Sequence, residues 1–128
     1  MDRLYKDLPQ SNSEEIKRIL SEGTIEEVMI LPLSIGMYHD NLKEAQDICV
    51  RLAYHDDERV RANAALGLSY IARKKRGLEK HIIKPVLHKL LNDCNEYKWK
   101  IVDSINDINF FMKWSIAEKA LKRIDENK

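Results

Sequence analysis

Residues 55–75, HDDERVRANAALGLSYIARKK, constrain the fold more than any other stretch of the chain. Asp56, Asp57 and Glu58 lead it, and acids suit the positive end of a helix. Val60, Ala64, Gly67, Leu68 and Ile71 then recur at helical spacing. From Ala64 to Ala72 the run AALGLSYIA is apolar nearly all round. A helix without a polar face has to be covered on more than one side. Ala64, Ala65 and Gly67 are small enough to admit close neighbours. The stretch therefore reads as the middle helix of a stack.

The flanking sequence supplies the rest of that stack. Residues 1–10 form an arm ending at Pro9, and Ser11 to Glu14 make an S-x-x-E capping box. The helix it opens carries Ile16, Ile19 and Leu20 and stops at Gly23. Thr24 to Glu27 is a second box, and the segment it opens should be bent or split at Pro32. Asn41 opens the next helix, with Leu42, Ala45, Ile48, Cys49, Leu52 and Ala53 as its apolar stripe. Lys43, Asp47 and Arg51 line its other side at i, i+4, i+8. Beyond Gly77, a helix buries Ile82, Ile83, Val86, Leu87, Leu90 and Leu91, with Pro85 at an N-terminal turn or kink. Asn95 is expected to open a helix with Trp99, Ile101, Val102, Ile105 and Ile108 inside. Phe110 to Trp114 form an aromatic corner that closes the core, and Ser115 to Glu118 give a further capping box. Two-residue alternation is absent, so no sheet is expected.

At 128 residues the chain is read as one domain, 1–128, able to build a core without staples. Cys49 and Cys94 fall on apolar stripes and suit buried thiols in a reducing compartment. No apolar run reaches membrane-spanning length, and MDRLYKDLPQ lacks a signal-peptide core, so a cytoplasmic location is expected. Net charge is +1, but residues 1–60 hold 7 basic and 13 acidic side chains, and residues 61–128 hold 15 and 8. That polarity can steer a charged partner.

The run Asp57-Glu58-Arg59-Val60-Arg61, followed by Asn63-Ala64-Ala65-Leu66-Gly67, resembles the first helix of a HEAT repeat. Residues 84–93, KPVLHKLLND, resemble the second helix of such a repeat. Candidate first helices begin at Thr24, Asp57 and Asn95, spaced 33 and 38 residues apart. The resemblance implies an all-α superhelix of about three helix pairs plus a short N-terminal helix. It gives Arg61 and Gly67 structural roles, Arg61 tying neighbouring repeats. It implies a concave side lined by second helices. The third unit departs from the pattern, with Trp99-Lys100 where Val-Arg belongs.

Catalytic chemistry is hard to find. There is no Gly-rich phosphate loop, C-x-x-C, H-E-x-x-H or G-x-S-x-G. His39, His55, His81 and His88 lack the repeated His-Glu pairs of di-iron HEAT hydroxylases, so no metal or cofactor is expected. Residues 73–76, RKKR, suit a helix C-terminus, where cations complement the dipole. Phosphate contact is their alternative reading.

Binding of one protein partner is the remaining expectation, without catalysis. The acids Glu26, Glu27, Asp47 and Asp56 would meet a basic partner. Lys43, Arg51, His81, Lys84, His88 and Lys89 would line the second-helix face. Trp114 and the tyrosines are the expected exposed anchors. Size, isolation and Lys/Ile/Asn-rich composition resemble immunity proteins of bacterial toxin systems, which neutralise a toxin such as a nuclease. A general HEAT-type adaptor is the alternative, and nucleic-acid binding a third reading.

Overall fold

The computed structural model describes residues 12–75 and 77–127. Among them are seven helices and no strand: α1 (Ser13–Glu22), α2 (Ile25–Tyr38), α3 (Leu42–Leu52), α4 (Glu58–Lys75), α5 (Lys80–Asp93), α6 (Lys98–Met112) and α7 (Glu118–Glu126). The described residues are all-helical, as expected. The N-terminal arm lies outside the described residues.

Local sequence sets several boundaries. Asn12 caps α1, its Oδ1 accepting the Glu15 N–H at 2.9 Å, one residue later than the expected box at Ser11. The Thr24 box forms in both directions: Thr24 Oγ1 accepts from Glu27 N at 3.2 Å, and Glu27 Oε1 accepts from Thr24 N at 3.0 Å. Asn41 caps α3 through the Glu44 N–H. Asp57 Oδ1 accepts from Arg59 N at 2.8 Å where α4 begins.

Four expectations fail, wholly or in one of their alternatives, where tertiary contacts outweigh local signals. Pro32 does not divide α2; it is buried inside one continuous helix, packed against α4. That packing offsets the single backbone hydrogen bond a proline removes. Pro85 lies past the first turn of α5, inside the helix, so of the two expected positions the N-terminal turn is excluded. Asn95 does not open α6: the N–H groups of Asn95 and Tyr97 both donate to Glu58 Oε2, at 2.9 and 2.7 Å, and the helix starts at Lys98. The Ser115 box is not made either. Asn109 holds that corner, donating from Nδ2 to Ile116 O at 3.0 Å and accepting from Ile116 N at 2.9 Å. Lys113 and Ala117, at φ 59° and 57°, turn the chain around it.

Helix α4 is central, touching α2, α3, α5 and α6, with α2 and α6 its most extensive neighbours. Val60, Ala62, Ala64, Ala65 and Leu68 have no exposed surface, and one apolar core runs from Ile16 in α1 to Ala117. The α2–α4 crossing is made by glycines. A Cβ on Gly67 would lie 2.5 Å from Pro32 O, and one on Gly36 would lie 2.5 Å from Gly67 O. Only residues without a Cβ let the two backbones approach this closely. Arg61 Nη1 donates to His55 O at 2.9 Å and Asp56 O at 2.8 Å, carbonyls of the turn joining α3 to α4. Arg61 also interacts with Cys94 and Asp93 at the end of α5, and Glu58 adds a further tie from α4 to the α5–α6 connection.

Candidate partner-binding surface

A groove of about 700 Å³ opens between α2, α4 and α6. Helical periodicity builds it. Met29, Ile30, Leu33 and Met37 come from α2; Leu66, Tyr70 and Arg73 from α4; Trp99, Lys100 and Asp103 from α6. Leu33 and Tyr70 are buried in an apolar patch of their own, apart from the main core, with Ile30, Met37 and Leu66 half-buried around them. This is the second apolar face of α2 and α4. The run AALGLSYIA has no polar face, but its Leu66 side is left half-covered, facing the groove.

The groove walls are cross-linked. Asn63 Nδ2 donates to Met29 O at 2.7 Å, and Lys100 Nζ donates to Asn63 Oδ1 at 3.0 Å, tying α6 to α4 to α2. Burial pushes the Lys100 ammonium below its ordinary pKa. Arg73 pairs with Asp107 at 3.3 Å and lies 5.7 Å from the Phe111 ring centroid. Glu26 and Asp103 are exposed on the rim and make no ion pair among the described residues.

The residues singled out from sequence divide over the surface. Glu26 alone among them lines the groove. Glu27 is turned inward to structure, pairing with Arg18 and closing the Thr24 box; Arg18 and the Thr24 N–H hold its carboxyl down at about 2. Asp56 is exposed in the turn before α4. Lys43, Asp47 and Arg51 form an exposed stripe on α3, where Lys43 bonds Glu79 at 3.0 Å and faces Asp47 at 3.6 Å. His81 and Lys84 are exposed on α5 and His88 is partly covered. Lys89 is committed within the protein, to Asp93 at 2.6 Å and Ala53 O at 3.2 Å, with the Tyr54 ring centroid 4.6 Å away. None of the α3 and α5 residues lines the groove.

Three aromatic side chains differ from expectation. Trp99, assigned to the core of α6, is 57% exposed at the groove, while Trp114 packs against the core. Phe110, placed in a closed aromatic corner, is 76% exposed with its ring edge-on to Phe111. The departure of Trp99-Lys100 from the repeat pattern was the signal available in the sequence: a bulky aromatic cannot replace a small valine on a tightly packed face. In the basic cluster, Lys74 Nζ donates to Met37 O at 2.7 Å and Arg73 is paired as above, so both serve the fold. The side chains of Lys75 and Arg76 lie outside the described residues. No group of three or more metal-ligating side chains occurs among the described residues, and no described helix is long and apolar enough to cross a membrane.

No protein-family model matches the sequence, and no curated protein matches it. Among solved structures, the chain is similar to one in the crystal structure of a CDI complex from Cupriavidus taiwanensis, at a TM-score of 0.71 and 21% identity. The likeness covers 82% of this chain and 94% of that one, and shows a shared fold.

Proposed function

We propose that this chain is a non-catalytic immunity protein that binds a toxin domain and neutralises it in the cytoplasm. The fold shared with a chain of a contact-dependent inhibition complex carries the reading. An open groove with a methionine, leucine and tyrosine floor and a protruding tryptophan supports it. Aromatic residues and methionine are enriched where proteins recognise one another. The helix pairs α2–α3, α4–α5 and α6–α7 would stack as a short HEAT-like superhelix that presents this surface. The protein needs no cofactor in this role, because occlusion of a toxin requires complementarity and no turnover.

Growth tests the proposal. A candidate toxin domain from a gene neighbouring this one is expressed alone and together with this chain. Co-expression should restore growth, and the two proteins should co-purify at equal stoichiometry. Rescue of several unrelated toxins would favour a general adaptor. Continued toxicity at full expression of a folded protein would reject the immunity role.

A further inference from the structure

We propose that the α2–α4–α6 groove is the docking surface, and that its occupant is an amphipathic helix of the partner protein carrying lysine or arginine beside an apolar stripe. This rests on the protein-binding function proposed above and names its surface.

Charge and shape together select that occupant. The floor is apolar, with Leu33 and Tyr70 buried beneath half-exposed Ile30, Met37 and Leu66. Such a strip accepts the stripe of large side chains that an amphipathic helix presents at i, i+3, i+4 and i+7. Methionines at Met29 and Met37 adapt to an irregular partner surface. Trp99 stands over half exposed at the edge, an amphipathic plate for the partner to pack on. The rim decides the charge. Arg73 is paired with Asp107, and Lys100 keeps its charge while bonded to the neutral Asn63 amide at the inner wall. Glu26 and Asp103, from α2 and α6, are exposed and make no ion pair among the described residues; Glu26 interacts with Arg59 only at longer range, and Arg59 is itself paired with Asp57. The acids Glu26, Asp103 and Asp107 outnumber the cations Arg73 and Lys100 by one, and the two exposed unpaired acids lie outermost, so a basic segment is favoured over an acidic one.

Two synthetic amphipathic helices of about 16 residues test this, sharing one leucine stripe but flanked by lysines in one and by glutamates in the other. Each is titrated into the isotopically labelled full chain and followed by NMR. The Trp99 indole N–H and the amides of Leu66, Tyr70 and Asp103 should shift, while those of Lys43, Lys84 and Phe110 stay. The lysine peptide should bind about tenfold tighter at low salt, with the gap closing at high salt. A Glu26→Lys, Asp103→Lys variant, changed only at exposed positions and checked by circular dichroism, should reverse the preference. Equal affinities, shifts on α3 and α5 instead, or no shift from either peptide at millimolar concentration overturn the proposal. So does a Trp99 resonance that moves on simple dilution, which would make a second copy the occupant. The peptides require no toxin, so failed growth rescue with this preference intact removes the toxin and keeps the surface.

Discussion

Replacing Gly67 with alanine should destabilise the protein even though alanine is the better helix former. The new Cβ would lie 2.5 Å from Pro32 O and 3.0 Å from both Pro32 C and Cys49 Sγ. The first contact is backbone and cannot rotate away, so α2 must retreat by roughly 1 Å to restore ordinary packing. The retreat loosens the same interface at buried Leu31, Ile35, Ala64 and Leu68. Overpacking costs about 1–3 kcal/mol, against about 1 kcal/mol gained in helix propensity. The interface is continuous, so the penalty belongs in the upper part of that range. A net loss of about 1–2 kcal/mol follows, or several degrees in Tm. Urea and thermal unfolding followed by circular dichroism measure it. Gly36→Ala requires the same retreat, since its Cβ would meet Gly67 O at 2.5 Å. The double variant should therefore lose less than the sum of the two. Gly77→Ala is the control: its Cβ meets only the end of the Leu42 side chain, which can move. A Gly67→Ala protein as stable as wild type, or strict additivity with Gly36→Ala, would refute the close-crossing argument.

Acid should weaken the fold through Glu27, held at about 2 from an ordinary 4.5 by Arg18 and the Thr24 N–H. A depressed carboxyl favours the folded state fully above about pH 4.5 and loses that contribution as pH falls toward 2; Glu27→Gln should flatten this limb in an acid titration. Asp57, held at about 2 by Arg59, should add to the same window. Burial pushes the Cys49 thiol up to about 12, so iodoacetamide at mildly alkaline pH should leave Cys49 unlabelled until urea unfolds the chain, as mass spectrometry can read; rapid native labelling would contradict its placement. Glu58→Ala removes two charge-assisted bonds to Asn95 and Tyr97 and should cost about 1–3 kcal/mol, with faster amide exchange at both residues.

Signals acting over one turn were readable from sequence. Thr24 and Asn41 cap the helices they precede because three residues suffice to place donor and acceptor. The central role of α4 followed from AALGLSYIA, which no solvent-facing helix can present. What failed depended on residues far apart in sequence. Nothing near Asn95 reveals that Glu58 takes its N–H, and nothing near Ser115 shows that Asn109 replaces the expected cap. The groove was half legible. The apolar run of α4 implied covering on more than one side, yet only the packing of α6 decides that Leu66 and Tyr70 line a groove. Charge counts put the acids in the first half, but Asp103, from the basic half, completes the acidic rim.

Calorimetric titration of this protein with a purified toxin-domain candidate from a neighbouring gene tests the proposed function most directly. Tight one-to-one binding is expected, weakened at least tenfold by Trp99→Ala and by the Glu26→Lys, Asp103→Lys variant, and unaffected by Lys84→Ala. Absence of binding, or binding that ignores the groove variants and collapses on Lys84→Ala, would contradict it.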